Sequence, residues 1–424
     1  MSFPRYPVYK DSGVEWLGEL PGHWDLRRIG YFFTERREKV SDKDFPALSV
    51  TKNGIVPQLD TAAKSDDGDN RKRVCKGDFV INSRSDRKGS AGASDLDGSV
   101  SLICTVMQPQ EKVHTPFVHH LLRSQPFQEE FYRNGKGIVA DLWSTNYSEM
   151  RNIMLGMPPI LEQTQIAVFL DRETAKIDAL VAEQRRLMAL LKEKRQAVIS
   201  HAVTWGLNPD APMKPSGIEW LGDVPEHWEV KRFQRCVYVA EGQVDPENPT
   251  YSEMPLIAPN HVESGTGRLL ELESASEQGA VSGKYLCKAG DVVYSKIRPA
   301  LRKVCIAPED CLCSADMYPL RAHSGLVNAF LLWSILSEQF SALAVLESQR
   351  VAMPKINRES LKEVMLAVPP IAEQEAVTEY IENEAAKFDT LTTEAQRAID
   401  LLQERRTALI SAAVTGQIDV RGAL

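Results

Sequence analysis

The sequence predicts an α+β protein made of one unit written twice. Two similar mixed α/β domains are separated by two long helices that pair as a coiled coil. Three observations predict it. Residues 176–203 and 387–414 align without a gap, and neither stretch holds a Pro or Gly to break a helix. The stretch SGVEWLGELPGHW at 12–24 returns as SGIEWLGDVPEHW at 216–228. Later, GDFV at 77–80 returns as GDVV at 290–293, and PPILEQ at 158–163 as PPIAEQ at 369–374. The spacing between copies shifts from block to block, so insertions and deletions lie between the matched blocks, and the middles of the two units differ.

The resulting division is 1–157 for the first domain, 158–206 for the first helical region, 207–368 for a linker and the second domain, and 369–424 for the second helical region. Within each domain, short apolar or alternating runs predict strands at 79–81, 100–106, 292–294 and 317–320. Helices are expected over about 115–132 and 328–346. Asn146 and Asn357 stand where helix caps are expected, and the double prolines end that segment and start the long helices. Residues 206–212, GLNPDAP, read as a linker.

At about 1.5 Å per residue the matched helical stretches span roughly 40 Å. Steps of three and four place Ile177, Leu180, Gln184, Leu187, Leu191, Lys194 and Val198 on one seam, and Phe388, Leu391, Ala395, Ala398, Leu402, Arg405 and Leu409 on the other. A cation interrupts both seams at the same place. Second stripes, with Val181, Met188 and Leu190 in one copy and Ile399 and Leu401 in the other, leave apolar surface for a further partner.

Composition excludes several classes. With 424 residues the chain exceeds a single core, and its apolar and charged fractions are those of an ordinary soluble protein. No apolar run reaches membrane-spanning length, and the N-terminal MSFPRYPVYKDSG lacks a basic-then-apolar leader, so a cytoplasmic location is expected. Seven scattered cysteines fit reduced thiols; the Cys311, Cys313, Cys305, Cys287 and His261 group lacks zinc-site spacing and has no counterpart in the first half. No Gly-Lys-Ser/Thr phosphate loop and no methyltransferase cofactor loop is present. Asn248-Pro249-Thr250-Tyr251 lacks the second Pro of an amino-methyltransferase motif, and the Glu226, Glu229, Lys231 group is not matched in its twin. The recurring His23-Trp24 and His227-Trp228 read as structural anchors.

Charge is more informative. The net charge is −8, yet residues 71–88 and 284–303 each carry a net +5 at matching positions. An acidic protein with one basic segment per half points to phosphate contact, with a solvated charged face as the alternative. Arg71, Lys72, Arg73, Asn82, Ser83, Arg84, Arg87 and Lys88 are the candidates in the first half. Lys284, Tyr294, Ser295, Lys296, Arg298, Arg302 and Lys303 are those in the second. Arg and Lys read guanine edges and Asn reads adenine, so these residue types fit base reading as well as phosphate holding.

The repeated SG(I/V)EWLGxxPxHW, the later PPIxEQ and the helix ending in Ile-Ser resemble the DNA-specificity subunit of type I restriction–modification systems. The resemblance covers nearly the whole chain; one departure is Trp205, where Lys is expected. It implies two target-recognition domains, each reading one half of an asymmetric bipartite site in double-stranded DNA. It implies antiparallel helices that set the half-site spacing and dock two methyltransferase subunits, with restriction subunits completing the assembly. S-adenosylmethionine, ATP and Mg would belong to those partners, and this chain would be no enzyme. Ile177, Leu180, Leu187, Leu191, Phe388, Leu391, Leu402 and Leu409 are the expected helix-pairing residues. Two rivals are a self-contained methyltransferase or nuclease, which would transfer methyl groups or cut DNA alone, and a coiled-coil scaffold, which would show no salt-dependent DNA affinity.

Overall fold

A computed structural model describes residues 3–60, 68–137, 143–348 and 354–423. Two contact units divide the chain: Met1–Gln184 with Gln396–Leu424, and Arg185–Ala395. Each long helix therefore begins in one unit and ends in the other, and each unit contains the start of one helix and the end of its twin.

The helices are longer than the matched stretches. They run over Ile160–Trp205 and Ile371–Val414, 46 and 44 residues. Both start directly after a Pro pair, where a missing amide hydrogen is harmless because the first-turn donors have no intrahelical partner.

In the first unit, a four-stranded antiparallel sheet is ordered Ala91–Ala93, Phe79–Asn82, Cys104–Pro109, Phe33–Glu35. A second, three-stranded sheet holds Gly98–Val100, Arg71–Val74 and Lys39–Val40. The strand expected at 100–106 is broken: it ends at Val100, turns, and restarts at Cys104, so one apolar run feeds two sheets. The expected helix over 115–132 is likewise two, Thr115–Leu121 and Gln125–Arg133, with Pro126 opening the second. Their buried Phe117, Val118, Leu121, Phe127 and Phe131 share a core with Phe79, Ile81 and Met107 from the sheet.

In the second unit the corresponding sheet is ordered Val237–Val239, Met317–Ala322, Val292–Ser295, Val304–Ile306, again antiparallel. The expected helix over 328–346 is Asn328–Leu336 and Glu338–Ser348, parted at Ser337. The four cysteines Cys287, Cys305, Cys311 and Cys313 lie on or beside strands and face one apolar cluster with Ile257, Val262 and Val293. Among the described residues no group of three His, Cys, Asp or Glu is placed to hold a metal ion. No single helix is long and apolar enough to cross a membrane. Asn357 caps its helix by accepting from the Ser360 amide, while Asn146 makes no such side-chain bond.

Each domain closes on itself through one strand pair. Asp25–Arg28 pairs with Met154–Met157, and Glu229–Arg232 with Met365–Val368, so the HW block and the end of the domain meet at the start of the long helix. The Glu-Gln of PPIxEQ locks this junction. Glu162 accepts from the Tyr6 hydroxyl at 2.7 Å and the Trp24 indole at 3.0 Å, and pairs with His23 at 2.7 Å. Glu373 pairs with His227 at 2.7 Å, but the buried Trp228 indole has no partner among the described residues. Gln163 ties the His114 amide to the Lys112 and Pro158 carbonyls, and Gln374 does the same for Val327, Gly325 and Pro369. The recurring His-Trp thus anchors a helix to a domain. Trp205 is half-exposed and edges against the His201 ring at 4.9 Å.

The pairing of the long helices is antiparallel within each unit. In the first, Ile166, Phe169 and Leu170 share a core with Leu409, Ile410, Ala413 and Val414, and further along Asp178 meets Arg406. In the second, Ile199, Ala202 and Val203 share a core with Val377, Ile381 and Ala385, and Arg195 meets Asp389. The seam differs from the expected one. Ile177, Leu191 and Phe388 are buried on it as expected, and Leu402 and Leu409 are partly buried. Leu180, Leu187 and Leu391 instead stand 51%, 42% and 45% exposed, and Val181, Met188 and Thr392 take the inward positions. The inward cations are Arg195 and Arg406, not the neighbouring Lys194 and Arg405, which are exposed.

Candidate nucleic-acid interface

Each basic segment ends a central strand and runs into a loop. Phe79–Asn82 and Val292–Ser295 are the equivalent strands. Each is braced from below by the Gly-Asp that precedes it. Asp78 takes a two-pronged ion pair from Arg36 at 2.7 and 3.1 Å and the Cys75 amide at 2.8 Å. Asp291 takes Arg321 at 2.8 and 2.8 Å and the Lys288 amide at 2.9 Å. Both carboxylates are buried, and each holds its arginine's pKa above the ordinary value, by the hydrogen bond first.

Above the brace, the loops are pinned by the returning chain in matching ways. The Thr145 amide donates to Ser83 at 3.0 Å, and the Ile356 amide to Lys296 at 2.9 Å. Arg84 forms a backbone bridge with Ser144 and Ile297 with Lys355. Arg84 then leads into a single turn, Ser85–Arg87, and Arg298 into another, Pro299–Leu301. Arg298 and Arg302 both adopt positive φ, 48° and 47°, which L-residues avoid, so this loop holds its arginines in a strained conformation.

The fifteen candidates divide by burial. Five are interior and do not face solvent. Arg71 is 6% exposed and donates to the Ser99 hydroxyl at 2.9 Å and carbonyl at 3.1 Å. Ser83 bonds Thr105 at 3.1 Å, Ser295 bonds the Ile297 carbonyl, and Tyr294 is in the core. Lys284 is 7% exposed, with its ammonium on Ser282 and its pKa lowered by burial. These five correct the surface reading: on the strands, or just past one for Ser83, they turn inward, Tyr294 into the apolar core and the others onto neighbouring polar groups. Another five are tied but partly accessible. Lys72 donates to the Cys104 carbonyl, Arg73 to Glu38, Lys296 to Ala315, Arg302 to Ser341 and Lys303 to Pro259. Asn82 is half-buried and accepts the Arg84 amide at 3.1 Å. Arg84, Arg87, Lys88 and Arg298 are exposed. Arg87 sits 3.5 Å from Asp86, and Lys88 lies over the Tyr132 ring.

Sequence reasoning missed Trp143, which is 41% exposed one residue from the Ser144 that bridges Arg84. An exposed indole beside an exposed arginine suits a base face or a sugar. It also missed Lys52 and Arg123, which belong to other elements and approach Lys88 only in the folded unit.

The chain is internally duplicated, and each of its unlike domains carries an exposed arginine in the loop after the central strand. The sequence model of the type I restriction modification DNA specificity domain matches residues 225–400. The EcoDI type I restriction enzyme specificity subunit of Escherichia coli is 29% identical over 321 residues, 72% of this chain and 70% of the relative. The EcoKI specificity subunit of E. coli K12 is 22% identical, over 95% and 90% of the two chains. Among solved structures, the HsdS subunit from Thermoanaerobacter tengcongensis matches over 96% of this chain and 98% of its own, with 18% identity and a TM-score of 0.54. A chain from a structure describing complex assembly and conformational transition of the type I R-M system matches over 93% and 98%, with 18% identity and a TM-score of 0.67. At that identity the two structures speak for the fold. The chain is thus similar to type I restriction–modification DNA-specificity subunits, in sequence over most of its length and in fold over nearly all of it.

Proposed function

We propose that this chain is the DNA-reading, non-catalytic subunit of a type I restriction–modification complex, and that each domain reads one half of an asymmetric, bipartite site. The observation that carries this is the pair of equivalent loops, pinned alike and bearing Arg84 in one domain and Arg298 in the other, set in middles that differ in sequence. Unlike loops on like frames read unlike half-sites.

In this reading residues 1–157 and 207–368 recognise DNA, and 158–206 and 369–424 hold the half-site spacing. The outward Leu180, Leu187, Leu190, Leu391 and Leu401 supply apolar surface for two methyltransferase subunits. S-adenosylmethionine, ATP and Mg serve those partners and the restriction subunits, and the work is done on cytoplasmic DNA. The test is to incubate the purified chain with duplex DNA and labelled S-adenosylmethionine, alone and with its methyltransferase partner. Methyl transfer only in the presence of the partner is expected; transfer by the chain alone would overturn the reading.

A further inference from the structure

We propose that the first unit holds a phosphate-type anion in a basic cavity between its recognition domain and the second long helix. The cavity measures about 440 Å³, ample for phosphate or pyrophosphate. Lys52, Lys88, Arg123 and Arg406 line it together with His119 and Gln128, and no carboxylate does.

Arg123 makes the strongest case. Its guanidinium is largely withdrawn from water, and no carboxylate among the described residues acts on it, while Arg406 repels it. Its Nε is buried without an acceptor, and one terminal nitrogen donates to the Lys52 carbonyl. The other faces Nε2 of His119, whose Nδ1 already meets the Ala93 amide at 3.2 Å. A neutral imidazole can accept at only one of its two nitrogens, so one of these N–H groups is left without an acceptor. Burial first, then Arg123 and His120, drive the His119 pKa down to about 3, so the ring adds no charge of its own. An uncompensated buried cation costs several kcal/mol by general experience. An anion in the cavity removes that cost and supplies the missing acceptors.

The duplication provides an internal comparison. Arg406 corresponds to Arg195 of the second unit, and each meets the matching aspartate of the opposite helix: Asp178 at 2.9 Å for Arg406, Asp389 at 3.7 Å for Arg195. In the second unit the surrounding space is filled from within the chain. Arg195 donates to the carbonyls of Gly265 and Thr266 at 2.9 and 3.1 Å, and Arg268 reaches Asp389 and Glu263. Among the described residues no such loop meets Arg406, and three further cations converge there instead. The Arg195 Nε is also without a hydrogen-bond partner among the described residues, but both its terminal nitrogens find carbonyls, whereas the first unit gathers four cations around an open cavity.

The phosphate could belong to a free anion or to the DNA backbone, and the experiment separates the two. The free-anion arm does not rest on the DNA-reading function; the backbone arm does. Full-length chain is titrated calorimetrically with inorganic phosphate and with pyrophosphate at constant ionic strength, against chloride. Duplex affinity is measured in parallel as a function of salt. The variants are Arg123→Met and, because Arg123 is internal, the exposed pair Lys52→Ala/Lys88→Ala, with Arg235→Ala, an exposed cation of the second unit outside the candidate interface, as control. Saturable binding of phosphate or pyrophosphate, weakened at least tenfold by both cavity variants and not by the control, supports a free-anion site. If free anions do not bind but the double lysine variant lowers the slope of log affinity against log salt by about two, the site is a backbone clamp. No saturable anion binding together with an unchanged salt slope overturns the proposal. Loss of duplex binding by the unmutated chain would count against the DNA-reading function alone, since the calorimetric arm still reports on the cavity.

Discussion

Glu162→Ala and Glu373→Ala change the same position of the repeated PPIxEQ block, and the structure predicts very different costs. Glu162 is 5% exposed and accepts from two groups that are themselves buried, the Tyr6 hydroxyl and the Trp24 indole. Removing the carboxylate leaves both without an acceptor, at about 1–3 kcal/mol each. The His23 partner is 42% exposed and adds little. A total of roughly 2–6 kcal/mol is expected. Among the described residues the only side-chain partner of Glu373 is His227, 49% exposed, and the Trp228 indole has no partner. The expected cost there is about 0–1 kcal/mol. Urea unfolding followed by tryptophan fluorescence measures both, provided the denaturant slope is unchanged. Tyr6 and Trp24 both bond Oε1, so Glu162→Gln with its carbonyl oxygen there keeps both acceptors, gives up only the exposed His23 pair, and should cost about 0–1 kcal/mol. Equal losses at the two glutamates, or a loss below 1 kcal/mol at Glu162, would refute the clamp as described.

Three further expectations follow from particular side chains. Arg84→Ala should weaken binding to one half-site and Arg298→Ala to the other, by about 1–3 kcal/mol if each contacts a base, read by binding to duplexes mutated in one half at a time; a uniform loss across all sequences would mark a phosphate contact instead. Lys284→Met should leave duplex affinity unchanged and stability within about 1 kcal/mol, because the ammonium is internal and unpaired with any acid among the described residues, whereas a tenfold loss in a binding assay would restore it to the interface. His119 takes up its proton near pH 3 in the folded state and near 6.5 when unfolded, so the unfolded chain holds more protons in between. Its contribution is fully present above pH 6.5 and is lost as pH falls through that window, by about 2 kcal/mol at pH 5. His119→Gln should flatten this acid limb in urea titrations at pH 5 and pH 7, and an unchanged limb would contradict the burial assigned to the ring.

The repeat, the two mixed domains and the long helices were legible because they rest on residues that recur in order. The helix seam was legible only to within one residue, for a physical reason. The first copy carries doublets of like character, Leu180-Val181, Leu187-Met188 and Lys194-Arg195, so two phases fit the apolar pattern equally well. In the folded chain Val181, Met188 and Arg195 take the inward phase, and Leu180 and Leu187 stand outward. The basic segments were found at matching sites, but charge says nothing about direction. Arg71 and Lys284 open strands whose two ends are buried, and each turns inside, Arg71 to Ser99 28 residues away and Lys284 to the nearby Ser282. The split of the expected helix near Ser124 could have been seen, since Pro126 stands inside it. Arg123 and Lys52 could not have been joined to Lys88 from sequence, because they come from three separate segments.

Sequencing the modified bases in the genome of a cell carrying this gene and its methyltransferase partner tests the central claim most directly. The proposed reading of one half-site by each domain predicts adenine methylation at an asymmetric motif of two short specific blocks, separated by a gap of constant length. A continuous palindromic motif, a gap of variable length, or a motif that survives exchange of residues 207–368 for those of another such subunit would contradict it.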